Sequence, residues 1–228
     1  MSIASALAEV RGRIERAARA AGRDASLVKL VAVSKTKGPE AVREAYAAGQ
    51  RAFGENYAQE LATKAEALSD LPDVEWHFIG HLQTNKARVV AKHAHVVHTV
   101  DSEALARELG KRASREARAV PLPVLIEVNV GGEAQKAGAA ASEIEDVMRA
   151  VQAQESLVLR GLMTMPPAAA DPEASRPWFR RLRELAQAHG LPELSMGMTG
   201  DLEVAVACGA TLVRVGTAIF GARGPREG

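Results

Sequence analysis

Lys35 follows directly on the apolar run LVKLVAVS (27–34), so its amine stands where a buried strand gives way to a loop. Burial disfavours an ammonium ion, lowers its pKa and leaves a nucleophilic amine suited to capturing a carbonyl compound as a Schiff base. The bland alternative is a lysine whose stem runs along apolar surface to solvent. Lys37 lies two residues further into the loop and reads as solvated. SMGMTGD (195–201) and GTAIFG (216–221) combine small residues with hydroxyls, a composition that lets backbone N–H groups approach a phosphate. Either cluster alone is equally compatible with a tight turn. Beside Lys35, the pair points to a phosphorylated carbonyl ligand. Arg214 lies inside the apolar strand LVRVG, where a charge is costly unless paired. It reads either as an interior ion pair with an acid such as Glu127 or as a donor to a ring nitrogen of the ligand. A guanidinium only donates, so it would keep that nitrogen unprotonated and disfavour carbanion chemistry.

Other reactive residue types carry less. His93, His95 and His98 cluster in sequence, but His95 and His98 fall on opposite faces of one strand with no cysteine nearby, so no metal is expected. His77 reads as a satisfied histidine within a strand, while His81 stands at a strand end where a ligand could be reached. Cys208, the only cysteine, reads as a small core residue in an alanine-rich helix. The chain has no Walker-type loop, GxGxxG or GxSxG.

Strands and helices must place these residues together, and the chain alternates them about eight times. Strands are expected at 27–34, RAFGEN, VEWHFIG (74–80), HVVHTV (95–100), PVLIEVNV (123–130), LVLRGLMTM (157–165), PELSMG and TLVRVGTAIFG. Between them lie bounded helices, including PEAVREAYAAG with Pro39 at its start. Asp101 or Ser102 is expected to cap the helix after the fourth strand, and Ser142 the one after the fifth. Eight βα units imply a single (β/α)8 TIM barrel spanning residues 1–228. An open doubly wound sheet is the alternative, because strands two and seven are weak. In a barrel the loops after the strands converge on one face, which gathers Lys35, Asn56, Met163, Ser195, Gly197, Gly216 and Thr217.

Composition sets the outer limits. The 228 residues carry 29 basic and 28 acidic side chains, a net charge of +1, with 47% hydrophobic and 25% charged residues. This is a globular balance, without the basic surplus of a general nucleic-acid binder. No apolar run is long enough to span a bilayer and the N-terminus has no secretory pattern, so no membrane association is expected. A single cysteine fits a reducing cytoplasm. No exposed apolar patch advertises an interface, and a monomer is expected.

AVSKTK (32–37), FGENYAQE (53–60), WHFIGHLQTNK (76–86), EVNVGGEAQKAG (127–138), RGLMTM (160–165), SMGMTGDLEVAVACG (195–209) and TLVRVGTAIFGAR (211–223) run in order through nearly the whole chain. Together they closely resemble the pyridoxal phosphate (PLP) homeostasis proteins. The resemblance implies a barrel like the N-terminal domain of fold-type III PLP enzymes such as alanine racemase. It places the Schiff-base lysine at Lys35, phosphate contacts at Ser195, Gly197, Gly216 and Thr217, and the pyridine-facing arginine at Arg214. Asn56 and Met163 match pocket-lining positions, and Lys136 a secondary PLP contact. The family usually has Ser where this chain has Thr199, which keeps the hydroxyl.

The resemblance also implies function: a PLP carrier or regulator in the cytoplasm, without established turnover, with apo PLP-dependent enzymes as recipients. Alanine racemase needs a second domain and a tyrosine from its partner subunit; here Tyr46 and Tyr57 are the only tyrosines, and neither is placed to act opposite Lys35. The competing expectations are a PLP-dependent amino-acid racemase or lyase, and an aldolase in which Lys35 attacks a sugar phosphate directly.

Overall fold

The computed structural model describes residues 2–133, 137–167 and 169–221; Lys136 and the tail from Arg223 lie outside the described residues. Eight parallel strands close into a barrel in chain order: β1 (Lys29–Val33), β2 (Ala52–Glu55), β3 (Glu75–Phe78), β4 (Val96–Val100), β5 (Leu122–Glu127), β6 (Leu157–Met163), β7 (Glu193–Ser195) and β8 (Leu212–Val215). Closure is made by β1 and β8, with Leu30 beside Val213 and Val31 beside Arg214. The open doubly wound sheet is thereby excluded. Strands two and seven are real but only four and three residues long, which is why their sequence signal is faint.

The helices form the outer ring: α1 (Ile3–Ala20), α2 (Pro39–Ala47), α3 (Ala58–Ala67), α4 (Ala87–His93), α5 (Glu103–Ala113), α6 (Ile144–Gln152), α7 (Arg176–Ala188), α8 (Leu202–Ala207) and α9 (Thr217–Phe220). Helix α1 precedes the barrel units. Its buried residues Leu7, Val10, Ile14 and Ala18 recur at three- and four-residue spacing, giving one apolar stripe. Ser2 caps it by accepting the Ser5 N–H. Ser102 caps α5 in the same way, accepting from Leu105 N–H. At α6 the expected cap Ser142 is displaced: the N-cap is Glu143, whose carboxylate accepts the Ala140 N–H. The segment TAIF is the other correction. Its β-branched, apolar residues read as a continuing strand, yet β8 stops at Val215 and these residues form the short helix α9. None of the described helices is long and apolar enough to cross a membrane.

Side chains alternate across a strand, and the barrel turns that alternation into inside and outside. Leu30 and Ala32 of β1 belong to the large apolar layer beneath the helices, whereas Val31 joins Ala52, Val96, Leu125, Met163 and Leu212 in a separate small cluster within the barrel. Two residues further along β4, β5 and β8, on the same inward face, come His98, Glu127 and Arg214. The barrel is therefore apolar at one level and polar at the next, just beneath the C-terminal ends of the strands.

Candidate functional site

A cavity of about 290 Å3 opens among the loops at those C-terminal ends, lined by residues that include Lys35, Thr36, Lys37, Asn56, Met165, Thr199, Arg214, Gly216 and Thr217. Five sequence-designated residues therefore meet here: Lys35, Asn56, Arg214, Gly216 and Thr217. They come from three strand ends, after β1, after β2 and along or after β8, and closure of the barrel between β1 and β8 brings them together. Lys37, expected to be solvated, lines the cavity as well. Three cations line this wall, and no carboxylate does among the described residues.

Three designated residues stand elsewhere. Met163 is fully buried in the small interior cluster, and Met165, two residues beyond, takes the place in the cavity wall. Gly197 is buried behind the wall with φ 93°, where a Cβ would come within 2.4 Å of the Ala205 side chain. Its carbonyl accepts the Arg214 N–H at 2.9 Å, so it shapes the backbone behind the site. Ser195 is buried at the barrel centre, with its hydroxyl engaged by Arg214 and His98. His81 also misses this cavity; it stands 3.7 Å from Asp101 beside a neighbouring hollow.

Asn56 is held by an unusual approach. A Cβ on Gly80 would lie 2.0 Å from the Asn56 carbonyl oxygen, so only glycine lets the end of β3 pack against this backbone. The Asn56 Oδ1 is buried without a hydrogen-bond partner in the protein. A buried amide oxygen left unpaired costs about 1–3 kcal/mol, which a ligand donor would recover. Across the cavity, Asp201 shapes the 198–201 loop: one carboxylate oxygen accepts the Met198 N–H at 2.7 Å and the other the Ser175 hydroxyl at 3.0 Å.

Arg214 forms the floor. It donates from Nη1 to Ser195 Oγ at 2.6 Å and from Nη2 to the Thr164 carbonyl at 3.0 Å. The expected interior ion pair with Glu127 is not formed within 4.0 Å, although the two charges still act on each other. Burial lowers the guanidinium to about 10, with Glu127 and Asp201 opposing, and it stays charged at neutral pH. Because a guanidinium can only donate, the direction of the buried chain beneath it follows. Ser195 Oγ accepts from Arg214 and gives its proton to His98 Nδ1 at 2.8 Å. His98 then carries its proton on Nε2 and donates to His77 Nδ1, also at 2.8 Å. The remaining His77 nitrogen faces Glu75 Oε2 at 3.5 Å, near the opposite end of the barrel, where Lys29 pairs with the same carboxylate. Burial holds His98 well below the usual histidine range, in keeping with this neutral tautomer.

Glu127 gives this site a pH signature. Burial raises its carboxyl to about 7, with Arg214 pulling it down and Asp101 adding to the rise. The native state therefore holds the proton more tightly than the unfolded chain, whose carboxyl titrates near 4.5. The associated stability is complete below the unfolded value and is lost as pH rises to about 7, a change of about 3 kcal/mol. Urea midpoints of the wild type and Glu127→Gln, compared from pH 4 to 8, should converge on the acid side and separate above it in favour of the variant. Parallel curves would show that Glu127 does not titrate in that window.

Among the described residues no group of three or more His, Cys, Asp and Glu is arranged to hold a metal ion. His95 accepts the Trp76 N–H at 2.9 Å, on the outer face of the strand from His98.

Residues 6–224 match the family model described as alanine racemase, N-terminal domain. A protein of Pseudomonas aeruginosa named pyridoxal phosphate homeostasis protein is 50% identical over 224 residues, covering 97% of this chain and 96% of its own. The structure of PipY from Synechococcus elongatus without PLP superposes with a TM-score of 0.85 at 38% identity, over 96% of this chain and all (100%) of the other. PipY with PLP bound gives 0.84 at 36% identity and the same coverage. The Pseudomonas relative is named for homeostasis rather than for an enzyme activity, whereas the family model carries the name of the alanine racemase domain. With its closed eight-stranded barrel and its full-length likeness to them, the chain belongs to the pyridoxal phosphate homeostasis protein family, built on the alanine racemase N-terminal domain.

Proposed function

We propose that this protein binds PLP in the cavity at the C-terminal ends of the strands, holds it covalently through Lys35, and stores, delivers or buffers it in the cytoplasm. The observation that carries this reading is the convergence of Lys35, Lys37 and the buried Arg214 on one small cavity without a lining carboxylate among the described residues. Such a wall suits a dianionic phosphate ester with a polar ring. When bound, PLP supplies an aldehyde that a primary amine captures reversibly with loss of water.

The chain's own groups divide the work. Lys35 offers the amine. Arg214, always a donor, offers N–H to a ring nitrogen and so favours its unprotonated form. Thr199, Gly216 and Thr217 line the end suited to the phosphate, where hydroxyl and backbone donors suit an anion. The unpartnered Asn56 Oδ1 supplies an acceptor inside the wall. Reversibility makes the protein a carrier, because an amine on a recipient can displace Lys35 and take the cofactor; apo forms of PLP-dependent enzymes are the recipients we infer.

The absence of turnover rests on what faces Lys35. Racemisation needs a proton carrier on each side of the substrate carbon. Tyr46 donates to Asp73 beneath Arg51 on the outer ring, and Tyr57, half exposed, lines the neighbouring hollow. Neither tyrosine borders the cavity.

The test is an absorbance spectrum of the purified protein with PLP, before and after borohydride, followed by peptide mapping. A visible band that borohydride removes, with the pyridoxyl group on Lys35, supports the reading. A protein that remains colourless with added PLP overturns it. Amino acids incubated with the loaded protein in deuterated water should keep their α-protons; steady exchange would make it an enzyme.

A further inference from the structure

Lys64 lies in the middle of α3, away from the cavity wall, yet its ammonium is buried at 2% exposure. An ammonium has three protons to donate, and three oxygens receive them here. The Ser34 carbonyl is 2.6 Å from Nζ, and Glu55 Oε1 and Glu60 Oε1 are each 2.7 Å away. Two further bonds tie these acceptors to the start of the loop after β1. The Ser34 hydroxyl donates to Glu55 Oε1 at 2.6 Å, and Glu60 Oε1 accepts the Thr36 N–H at 2.6 Å.

The residues on both sides of Lys35 are therefore fastened to one buried charge. Ser34 is held through its carbonyl directly and through its hydroxyl by way of Glu55. Thr36 is held through its amide by way of Glu60. Thr36 also has φ 64°, the only non-glycine residue with positive φ among the described ones. A β-branched residue resists that conformation, so the chain stays there only where surrounding bonds insist on it. This backbone turn sets the direction in which the Lys35 side chain leaves the chain.

We propose that Lys64, acting through Glu60 and Glu55, is a positioning residue that fixes the approach of the Lys35 amine to its carbonyl ligand. The inference rests on the reading of Lys35 as the PLP-binding amine. It adds a group more than one element away that determines how readily that amine reacts. Misplacing a reacting atom by even about 1 Å can cost up to about 100-fold in rate, so loss of one arm of the clamp should be visible without loss of fold.

Removing Lys64 would leave Glu55 buried and uncompensated, so the informative variant is Glu60→Ala, at a partly exposed position. Glu60→Gln is its control, because the amide oxygen still accepts from Thr36 and Lys64. Two readouts are made on each full-length protein. One is the rate at which added PLP gives the borohydride-stable adduct. The other is the pH profile of Lys35 acetylation by acetic anhydride without PLP, measured by peptide mass. Glu60→Ala should slow adduct formation about tenfold and shift the acetylation profile, while the protein keeps one cooperative urea transition at a somewhat lower midpoint. Glu60→Gln should restore most of both. Wild-type rates and profile in Glu60→Ala, or equal losses in the two variants, would overturn the proposal. If wild type takes up no PLP while Glu60→Ala still moves the acetylation profile, the cofactor reading fails and the positioning role stands.

Discussion

Lys35→Ala should abolish the borohydride-stable adduct completely while leaving the fold intact. Lys35 is half-buried at the cavity wall, just beyond the end of β1. The substitution shortens one half-buried side chain outside the apolar core, so the unfolding free energy from urea titration should fall by no more than about 1 kcal/mol. PLP would still meet Lys37, Arg214 and the two threonine hydroxyls, so weak non-covalent uptake should persist. The visible band of the trapped carbonyl should be missing, and mass spectrometry after reduction should find no pyridoxyl group in the peptide containing residue 35. Lys37 is the sharpest competitor, because it lines the same cavity. Lys37→Ala should therefore keep the adduct on Lys35 and weaken only the electrostatic attraction of the phosphate. An adduct at full occupancy in Lys35→Ala would transfer the covalent role to Lys37 or another amine.

Why Lys35 was legible and other parts were not follows from the length scale of each signal. A five-residue strand of Leu, Val and Ala followed by a lysine announces itself locally, and eight repetitions of strand and helix announce a barrel. Ser195 and Met163 are marked both by motif and by their place at strand ends, and neither signal says how deep a side chain lies. The alternation of side chains carries that information: both residues fall on inward faces below the mouth, where His98 and Arg214 claim the Ser195 hydroxyl. The helix at TAIF was hidden because Ile and Phe suit a strand, and the break at Gly216 was read as part of the run. Lys64 was invisible for a different reason. With Glu60 four residues earlier it looks like an ordinary surface pair on a helix, worth a few tenths of a kcal/mol. Its significance comes from Ser34, just beyond β1, and Glu55, at the end of β2, which meet it only once these two strands pair and α3 packs over them.

Arg214→Met should damage stability and cofactor affinity together, and Arg214→Lys should separate them. The guanidinium supplies donors to two buried acceptors, Ser195 Oγ and the Thr164 carbonyl. Methionine fills much of the volume but leaves both unsatisfied, so the apo-protein should lose on the order of 3 kcal/mol, read as a lower urea midpoint. The charge change has a second consequence. Arg214 is the group that pulls the Glu127 carboxyl down towards about 7, so in Arg214→Met that carboxyl should keep its proton to still higher pH. An infrared titration of the protonated carboxyl band would follow this directly. Lysine restores the charge, and with it the pull on Glu127, but it is a point donor without the planar fork. It can reach one of the two acceptors while losing the guanidinium fork that we propose also serves the ring nitrogen, so stability should recover by about 1 kcal/mol or more while PLP affinity stays near that of Arg214→Met. If lysine rescues both properties, the site needs only a positive charge at its floor, and the oriented donor to the ring nitrogen has no part in binding. If lysine rescues neither, the forked contact with Ser195 and Thr164 governs the whole barrel centre, and the chain through His98 and His77 is a structural unit that depends on it.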